Sequence, residues 1–418
     1  MEKQPVIDEL IQELCPDGVE YKELGELGAF YGGISGKTKE DFLDGNAKFI
    51  TYMNIYKNPE VDLSASDKVK IQKDEFQTQI EYNDVLFTGS SETPEECGIS
   101  SVVMEIPIEP AYLNSFCFGF RLYNKKAFLS GFLKHLFRSN SLRQQINKTA
   151  NGVTRFNISK KLMGRVRIPV PPLLVQKEIV RILDSFTELE AELEAELEAR
   201  KKQYDYYKNQ LLNFDGRSDV EWKLLEELCE KIYKINWKTY INSNLKYIDL
   251  SSVNRENQEI INYQIIDESS APSRAQQLIR EGDILFGTTR PLLRRYCIVP
   301  TEYNNQICST GFCVLRAKKR VVNPKWIYYS ISYYKFYNYI KQVESGASYP
   351  SVSDALLKQY RIPIPPIEEQ KRIVSILDQF DTLVNDISKG LPAEIEARRR
   401  QYEYYRDRLL TFKEIHHE

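Results

Sequence analysis

The sequence predicts an α+β fold: two similar mixed α/β domains separated by a long antiparallel two-helix coiled coil. Three observations predict it. One stretch occurs twice, as Arg167-Ile-Pro-Val-Pro-Pro172 and Arg361-Ile-Pro-Ile-Pro-Pro366, and over the twenty positions from each arginine thirteen residues are identical at an offset of 194. Each copy runs into a long helical pattern with apolar residues at steps of 3, 4 and 7, ending near Phe214 and Phe412. The segments between the helices carry short apolar, β-branched runs separated by loops, which read as strands. A period near 195 is too long for a solenoid unit and means two whole domains, each followed by the same helix.

The elements follow in order. Val6, Ile7, Leu10, Ile11 and Leu14 space a short amphipathic helix that the turn Cys15-Pro-Asp-Gly18 ends. Val19-Glu-Tyr-Lys-Glu-Leu24 after it matches Val220-Glu-Trp-Lys-Leu-Leu225 after the first long helix. The stub therefore reads as a detached last turn of the C-terminal helix, the alternative being a generic N-terminal helix. Residues 84–87, 101–103, 116–120, 283–286, 296–299 and 312–315 read as strands, and Phe128–Asn147 and Trp326–Val343 as helices. Asp84-Val-Leu-Phe87 matches Asp283-Ile-Leu-Phe286, so the two domains are diverged copies of one fold.

Pro172 and Pro366 sit just before a first helical turn, where a missing amide donor costs little. The first helix carries the stripe Ile182, Phe186, Leu189, Leu193, Leu197, Tyr204, Tyr207 and Leu211. The second carries Ile376, Phe380, Leu383, Ile387, Ile395, Tyr402, Tyr405 and Leu409, with a break expected at Gly390-Leu-Pro392. Stripes so narrow need a partner helix, and the obvious partner is the other copy. The boundaries are then a first domain at 1–170, a helix at 171–215, a second domain at 216–364 and a second helix at 365–418. Within the first helix the tetrad Glu188-Leu-Glu-Ala occurs three times. It reads either as a solvated acidic face or as a length ruler, each tetrad adding about 6 Å.

Length and composition exclude several classes. At 418 residues with 42% hydrophobic and 28% charged side chains, this is an ordinary multi-domain chain. Seven scattered cysteines without a C-x-x-C pair argue for reduced thiols rather than a disulfide framework or zinc site. No apolar signal core or 18-residue apolar span is present, so a cytoplasmic protein is expected. Net charge is only −2, yet Pro110–Gln176 holds twelve Lys/Arg and no acid, while six glutamates crowd 188–198. Such segregation makes a local positive field of the kind that meets a phosphate backbone.

Catalytic chemistry is hard to find. Gly32-Gly-Ile-Ser-Gly-Lys-Thr38 imitates a P-loop, but Tyr31 stands where the first glycine belongs. It reads instead as a glycine loop offering Lys37 and Lys39 to phosphates, or as a plain turn. The only histidines are His135, His416 and His417, which leaves no His-based triad. Neither an Asn-Pro-Pro-aromatic methylase motif nor a nuclease cluster is present, and no metal site is read. The aromatic run Trp326–Tyr339 fits a buried helix better than a base-stacking platform.

The doubled Ile-Pro-Val/Ile-Pro-Pro-x-x-x-Gln-Lys run and the two Gln-Tyr-x-Tyr-Tyr helix ends resemble the specificity subunit of Type I restriction-modification enzymes, over the whole chain. The resemblance implies that each domain is a target-recognition domain reading half of a split sequence in double-stranded DNA. It implies two methyltransferase subunits as partners, carrying S-adenosylmethionine, joined in some complexes by two restriction subunits using ATP and Mg. The chain itself would hold no cofactor and be no enzyme.

Donor-bearing loops after strands are then the candidate DNA contacts: Lys37, Lys39, Thr88, Ser90 and Ser91, and in the second domain Thr288, Thr289, Arg290, Arg294 and Arg295. The loops 152–159 and 346–353 resemble the family's glycine-hydroxyl loop and add Thr154, Arg155, Lys160, Lys161, Ser348 and Tyr349. A rival from another class is a two-headed coiled-coil adaptor that binds proteins through both domains. A further rival is a self-contained nuclease-methylase.

Overall fold

The structure, a computed structural model, describes residues 4–237, 244–386 and 388–415. Ile387, His416, His417 and residues 238–243 lie outside the described residues, as does the side chain of Val6. The chain forms two compact units, Met1–Glu192 with Glu396–Glu418, and Leu193–Ile395. The boundary cuts the helix Leu173–Leu211, whose first half belongs to unit 1 and second half to unit 2. At 39 residues this helix is about 58 Å long.

Unit 1 is built on an antiparallel sheet in the order Gly28–Gly32, Cys117–Leu122, Val85–Thr88, Ser100–Val102. Unit 2 has the matching set Tyr296–Ile298, Ile284–Gly287, Phe312–Leu315, also antiparallel. The strands read from the sequence all belong to these two sheets, with Cys117–Leu122, Val85–Thr88 and Ile284–Gly287 at their centres and the others at their edges. The repeated Arg-Ile-Pro stretch is itself a strand. Arg167–Pro169 pairs with Tyr21–Glu23, and Arg361–Ile364 pairs with Glu221–Leu224, which accounts for the echo between residues 19–24 and 220–225. Ile7 and Cys15 share a buried cluster with Leu409 and Leu410, so the N-terminal helix packs beside the end of the last helix.

Both central strands begin with a buried carboxylate. Asp84 accepts from Arg121 Nε at 2.9 Å and Nη2 at 2.6 Å, from the Tyr31 hydroxyl at 2.6 Å and from the Glu81 amide at 2.8 Å. Asp283 accepts from Arg316 Nε at 2.9 Å and Nη2 at 2.7 Å and from the Arg280 amide at 2.8 Å. A buried charge survives only when paired and hydrogen-bonded, and both are.

The invariant polar residues of the repeat serve the same purpose at the helix start. Gln176 is fully buried; its Oε1 accepts from the Leu129 amide at 2.9 Å, and its Nε2 donates to the Ala127 and Pro171 carbonyls, both at 2.9 Å. Gln370 accepts from the Asn323 amide at 3.0 Å and donates to the Pro365 carbonyl at 2.9 Å. Each glutamine ties the long helix to the N-terminus of a domain helix, Ser130–Leu136 or Pro324–Ser332.

The helices are more interrupted than the sequence suggests. Phe128–Asn147 divides into Ser130–Leu136 and Asn140–Asn147, and Trp326–Val343 into Pro324–Ser332 and Tyr334–Val343. Tyr333, extended at φ −76° and ψ 143°, ends one helix and opens the next. The expected break near Gly390 is present, the helices being Ile367–Asn385 and Leu391–Leu409.

Burial on these helices differs from the predicted stripe. Val175, Gln176, Ile179 and Leu183 are fully buried in the core of unit 1, as Gln370, Ile373, Val374 and Leu377 are in unit 2, whereas Ile182, Phe186, Ile376 and Phe380 are half-buried. Leu189 and Leu383 are exposed, a correction to their assignment as packed positions, and Tyr207 is 40% exposed although one face of its ring is covered. A single neighbouring helix covers only one side of such a side chain, whereas a sheet-backed core encloses it. Helix pairing is present inside each unit nonetheless. Phe186 stacks on Tyr405 at 5.3 Å and Arg399 bonds Glu190 at 2.9 Å, an antiparallel sense. In unit 2 Tyr204 and Tyr207 stack on Phe380 at 6.2 and 5.6 Å. Tyr204, Ile395 and Leu409 are buried, and Leu193, Leu197, Leu211, Tyr402 and Tyr405 half-buried.

One buried polar contact in unit 1 makes its stability depend on pH. His135 is buried, with Nε2 at 2.8 Å from Asp184 and Nδ1 at 2.9 Å from the Tyr402 hydroxyl; Lys134 also bonds Asp184, and Arg406 stands near. A neutral imidazole that donates from Nε2 and accepts at Nδ1 satisfies both contacts. Burial lowers its pKa from the ordinary 6.5, outweighing Asp184, while the Lys134 and Arg406 charges push the same way. The unfolded chain therefore takes the proton first on acidification. Stability should be intact above pH 6.5 and fall as the pH drops below it, in unit 1 alone, because Tyr329 holds the equivalent place against Asp378 in unit 2. Amide exchange of both units at pH 7.5 and 5.5 checks this. His135→Gln should flatten the unit 1 response.

Candidate nucleic-acid interface

The loop after each central strand meets the glycine-hydroxyl loop of the same unit. In unit 1, Ser90–Ser91 forms a strand with Phe156–Ile158, which in turn pairs with Ala150–Asn151. In unit 2, Thr289 bridges Ser351, and the Arg290 amide donates to the Pro350 carbonyl at 2.7 Å. Segments about sixty residues apart in sequence thus form one surface in each unit.

In unit 1 that surface is a cleft of about 460 Å³. Arg155 donates to Ser90 Oγ at 3.2 Å and lies over the exposed Phe116 ring at 5.4 Å. Glu96 receives the Ser91 hydroxyl at 2.9 Å and the Tyr56 hydroxyl at 2.9 Å, and the Tyr52 hydroxyl donates to the Ser90 carbonyl at 3.0 Å. Thr154 is exposed at the rim. Exposed Lys160 lies over the Phe118 ring at 5.6 Å, and Lys161 is exposed beside it.

Tyr52, Tyr56, Glu96 and Phe116 are absent from the sequence-derived set. No local pattern marks them, since they come from a short helix, a loop and a turn that only the tertiary fold unites. The available signal was Glu96, a carboxylate within a few residues of a predicted DNA-facing loop.

In unit 2 the surface is built around arginine. Arg290 and Arg294 both adopt left-handed backbone, at φ 49° and 55°, on either side of the turn Pro291–Leu293. Such residues cost energy and persist where the surroundings or function demand them. The Arg290 guanidinium stacks 4.4 Å over the ring of Tyr349, which is 68% exposed, and Ser348 is exposed alongside. Arg294 goes elsewhere. It lies 4.4 Å over Tyr337 and lines a separate cavity of unit 2 with Lys208, Asp381 and Tyr204. Arg295 is half-buried, and its carbonyl accepts from the Gly287 amide.

Four predicted contacts are internal, among them Ser90, which is only 6% exposed and serves to anchor Arg155. Thr88 is fully buried, donating to the Glu96 carbonyl at 3.2 Å and accepting from the Ile99 amide at 2.9 Å. Thr288 is buried and donates to the Gly311 carbonyl at 2.8 Å. Both are last turns of the strand ladder rather than loop tips. Lys37, with a side chain only 6% exposed, pairs with Glu75 and donates to the Lys70 carbonyl, so it has no reach toward a phosphate. Its glycine loop exists for packing: a Cβ on Gly33 would stand 1.9 Å from the Asn114 carbonyl oxygen. Lys39 remains exposed on the turn that follows.

The Type I restriction modification DNA specificity domain matches residues 16–199 and again 217–397. The chain belongs to this family. Among relatives of the specificity family, the EcoR124I/EcoR124II specificity subunit of Escherichia coli is 37% identical over 61% of this chain and 65% of its own length. A specificity subunit of Haemophilus influenzae is 32% identical over 62% of this chain and 68% of its own. The matched part thus spans just under two thirds of the E. coli relative. In fold, the chain is similar to a subunit from a solved Type I restriction-modification assembly, at TM-score 0.65 and 18% identity over 94% of this chain and 98% of that one. It is similar also to the specificity subunit of Mycoplasma genitalium, at TM-score 0.50 and 14% identity over 94% and 96%. Among the described residues no helix is long and apolar enough to cross a membrane.

Proposed function

We propose that this chain is the DNA-reading, non-catalytic subunit of a Type I restriction-modification complex. Each unit would enter the major groove at its own half-site, with phosphate contacts fixing register and a few side chains reading bases. The observation that carries this reading is the paired surface: the same two loops meet in both units, but one offers Glu96 and Arg155 and the other Arg290 and Tyr349. Equivalent frameworks with different side chains suit an asymmetric target of two different short sequences separated by unread bases. Two methyltransferase subunits bearing S-adenosylmethionine, and restriction subunits using ATP and Mg where present, would supply the chemistry.

Mapping methylated adenines in cells with and without the chain tests the proposal. A two-part motif that vanishes with the chain is expected; an unchanged methylome refutes it. Binding of the complex to duplex DNA should also fall steeply with salt, which a protein-binding adaptor would not show.

The helix Leu173–Leu211 is continuous through the three Glu-Leu-Glu-Ala tetrads. Deleting one tetrad removes about 6 Å of helix. The unread spacer should shorten by about one or two base pairs, at about 3.4 Å each. A spacer of unchanged length in the mapped motif rejects the ruler reading and leaves the solvated-face reading.

A further inference from the structure

Glu96 is an odd residue to place on a DNA-facing surface. The Ser91 and Tyr56 hydroxyls hold both carboxylate oxygens, and these donors keep its pKa below the usual carboxylate range, so the group is an anion. An anion near phosphates is repelled unless the ligand brings a donor to it. In the major groove only two base groups donate, the N4 amine of cytosine and the N6 amine of adenine. The two hydroxyls leave each oxygen a second lone pair, so a fixed acceptor stands ready.

The other polar wall of the cleft has the opposite character. Arg155 is held by Ser90 and by the face of Phe116, and it has donors to spare for a pair of acceptors. The matching acceptor pair in the groove is guanine O6 and N7. Ser90 and Ser91 are consecutive, so the guanidinium and the carboxylate are anchored to neighbouring residues of one short strand. The edge of a G·C pair offers O6 and N7 on one base and the N4 amine on the other. An A·T pair offers one amine but no two-acceptor base edge for the arginine.

Resting on the DNA-reading role proposed above, we infer that the cleft of unit 1 reads a G·C base pair, Glu96 accepting from cytosine N4 and Arg155 donating to guanine O6 and N7. Tyr52 and Phe116 line the cleft beside these groups. The corresponding loop of unit 2, residues 287–295, contains no acid, so this mode of reading belongs to one half-site.

The full chain, assembled with its methyltransferase partners, is incubated with a randomised duplex DNA library, and bound sequences are read. The wild type should enrich a two-part motif with a G·C pair in one half. Glu96→Gln keeps the shape of the side chain but brings an amide donor to the amine; it should relax that single pair by about tenfold to a hundredfold and leave the other half-site untouched. Arg155→Lys should relax the same pair, and Ser91→Ala, which only frees the carboxylate, should relax it less.

A two-part motif whose every position survives Glu96→Gln and Arg155→Lys overturns the inference while sparing the DNA-reading role. Relaxation at an A·T pair overturns it equally, as does an even loss of recovery with no position changed. A wild type that enriches no sequence removes the underlying role, and the inference with it.

Discussion

Replacing Asp84 with alanine should destabilise unit 1 by about 3–5 kcal/mol, the cost of breaking a buried pair and its hydrogen-bond network by removing one partner. The carboxylate has no exposed surface and gathers four donors, from Arg121 twice, Tyr31 and the Glu81 amide. Removing it strips the Tyr31 hydroxyl and the Glu81 amide of their acceptor and leaves Arg121 with Glu81 and the Gln79 carbonyl alone, at the head of the central strand Val85–Thr88. Against typical domain stabilities of about 5–15 kcal/mol, such a loss takes a large share of what holds a unit folded. Asp283→Ala should do the same to unit 2, where Arg316 alone supplies the bidentate contact.

The molecule carries its own reporter for telling the two apart. All three tryptophans, Trp222, Trp237 and Trp326, belong to unit 2. In urea, Asp283→Ala should shift the tryptophan fluorescence transition, whereas Asp84→Ala should shift only the circular dichroism change not seen by tryptophan. A fluorescence midpoint that moves equally for both substitutions would mean that the units unfold as one. No movement in either signal would reject the role of the buried pair.

These aspartates show what the sequence made readable and what it hid. Asp84-Val-Leu-Phe87 and Asp283-Ile-Leu-Phe286 are visible as a repeated strand because short-range alternation and duplication are written in consecutive residues. Their partners Arg121 and Arg316 lie 37 and 33 positions away, beyond any local pattern, although they too repeat at an offset of 195. The helix start was legible for the same reason as the strand, since Gln176 and Gln370 stand in an identical run. What they hold, the amides of Leu129 and Asn323, was not.

The site follows this division. The two loops of each surface could be chosen from glycines and hydroxyls, but not which hydroxyl faces inward. Thr88, Thr288 and Ser90 are lost to the interior, while Ser91 next to Ser90 is only half-buried. Lys37 looked free because its partner Glu75 is 38 positions on. The predicted helical stripe erred in a related way. Periodicity marks an apolar face but not its cover, and a lone neighbouring helix leaves Leu189 and Leu383 open.

The three arginines of the unit 2 loop, equal in sequence, should separate in function. Arg290 is exposed, stacked on an exposed tyrosine and held at φ 49° by the Pro350 carbonyl, a pre-set fork on the surface. Arg294 is also exposed, but its guanidinium lies over Tyr337 and lines a separate cavity with Lys208 and Asp381 rather than the surface of the glycine-hydroxyl loop. Arg290→Ala should therefore cost about 1–3 kcal/mol in recognition of one half-site, or about five- to 150-fold. Arg294→Ala should leave both half-sites intact and act on the stability of unit 2.

Arg290→Lys sharpens the test, because it keeps the charge while losing the planar fork. If Arg290 contacts base edges, the lysine should restore the salt dependence but not the sequence preference. If it contacts only phosphate, the lysine should restore both. Methylation mapping across the three variants reads the preference directly. Equal damage to both half-sites by Arg290→Ala, or full damage by Arg294→Ala with a stable unit 2, would show that the reading surface lies elsewhere on the unit.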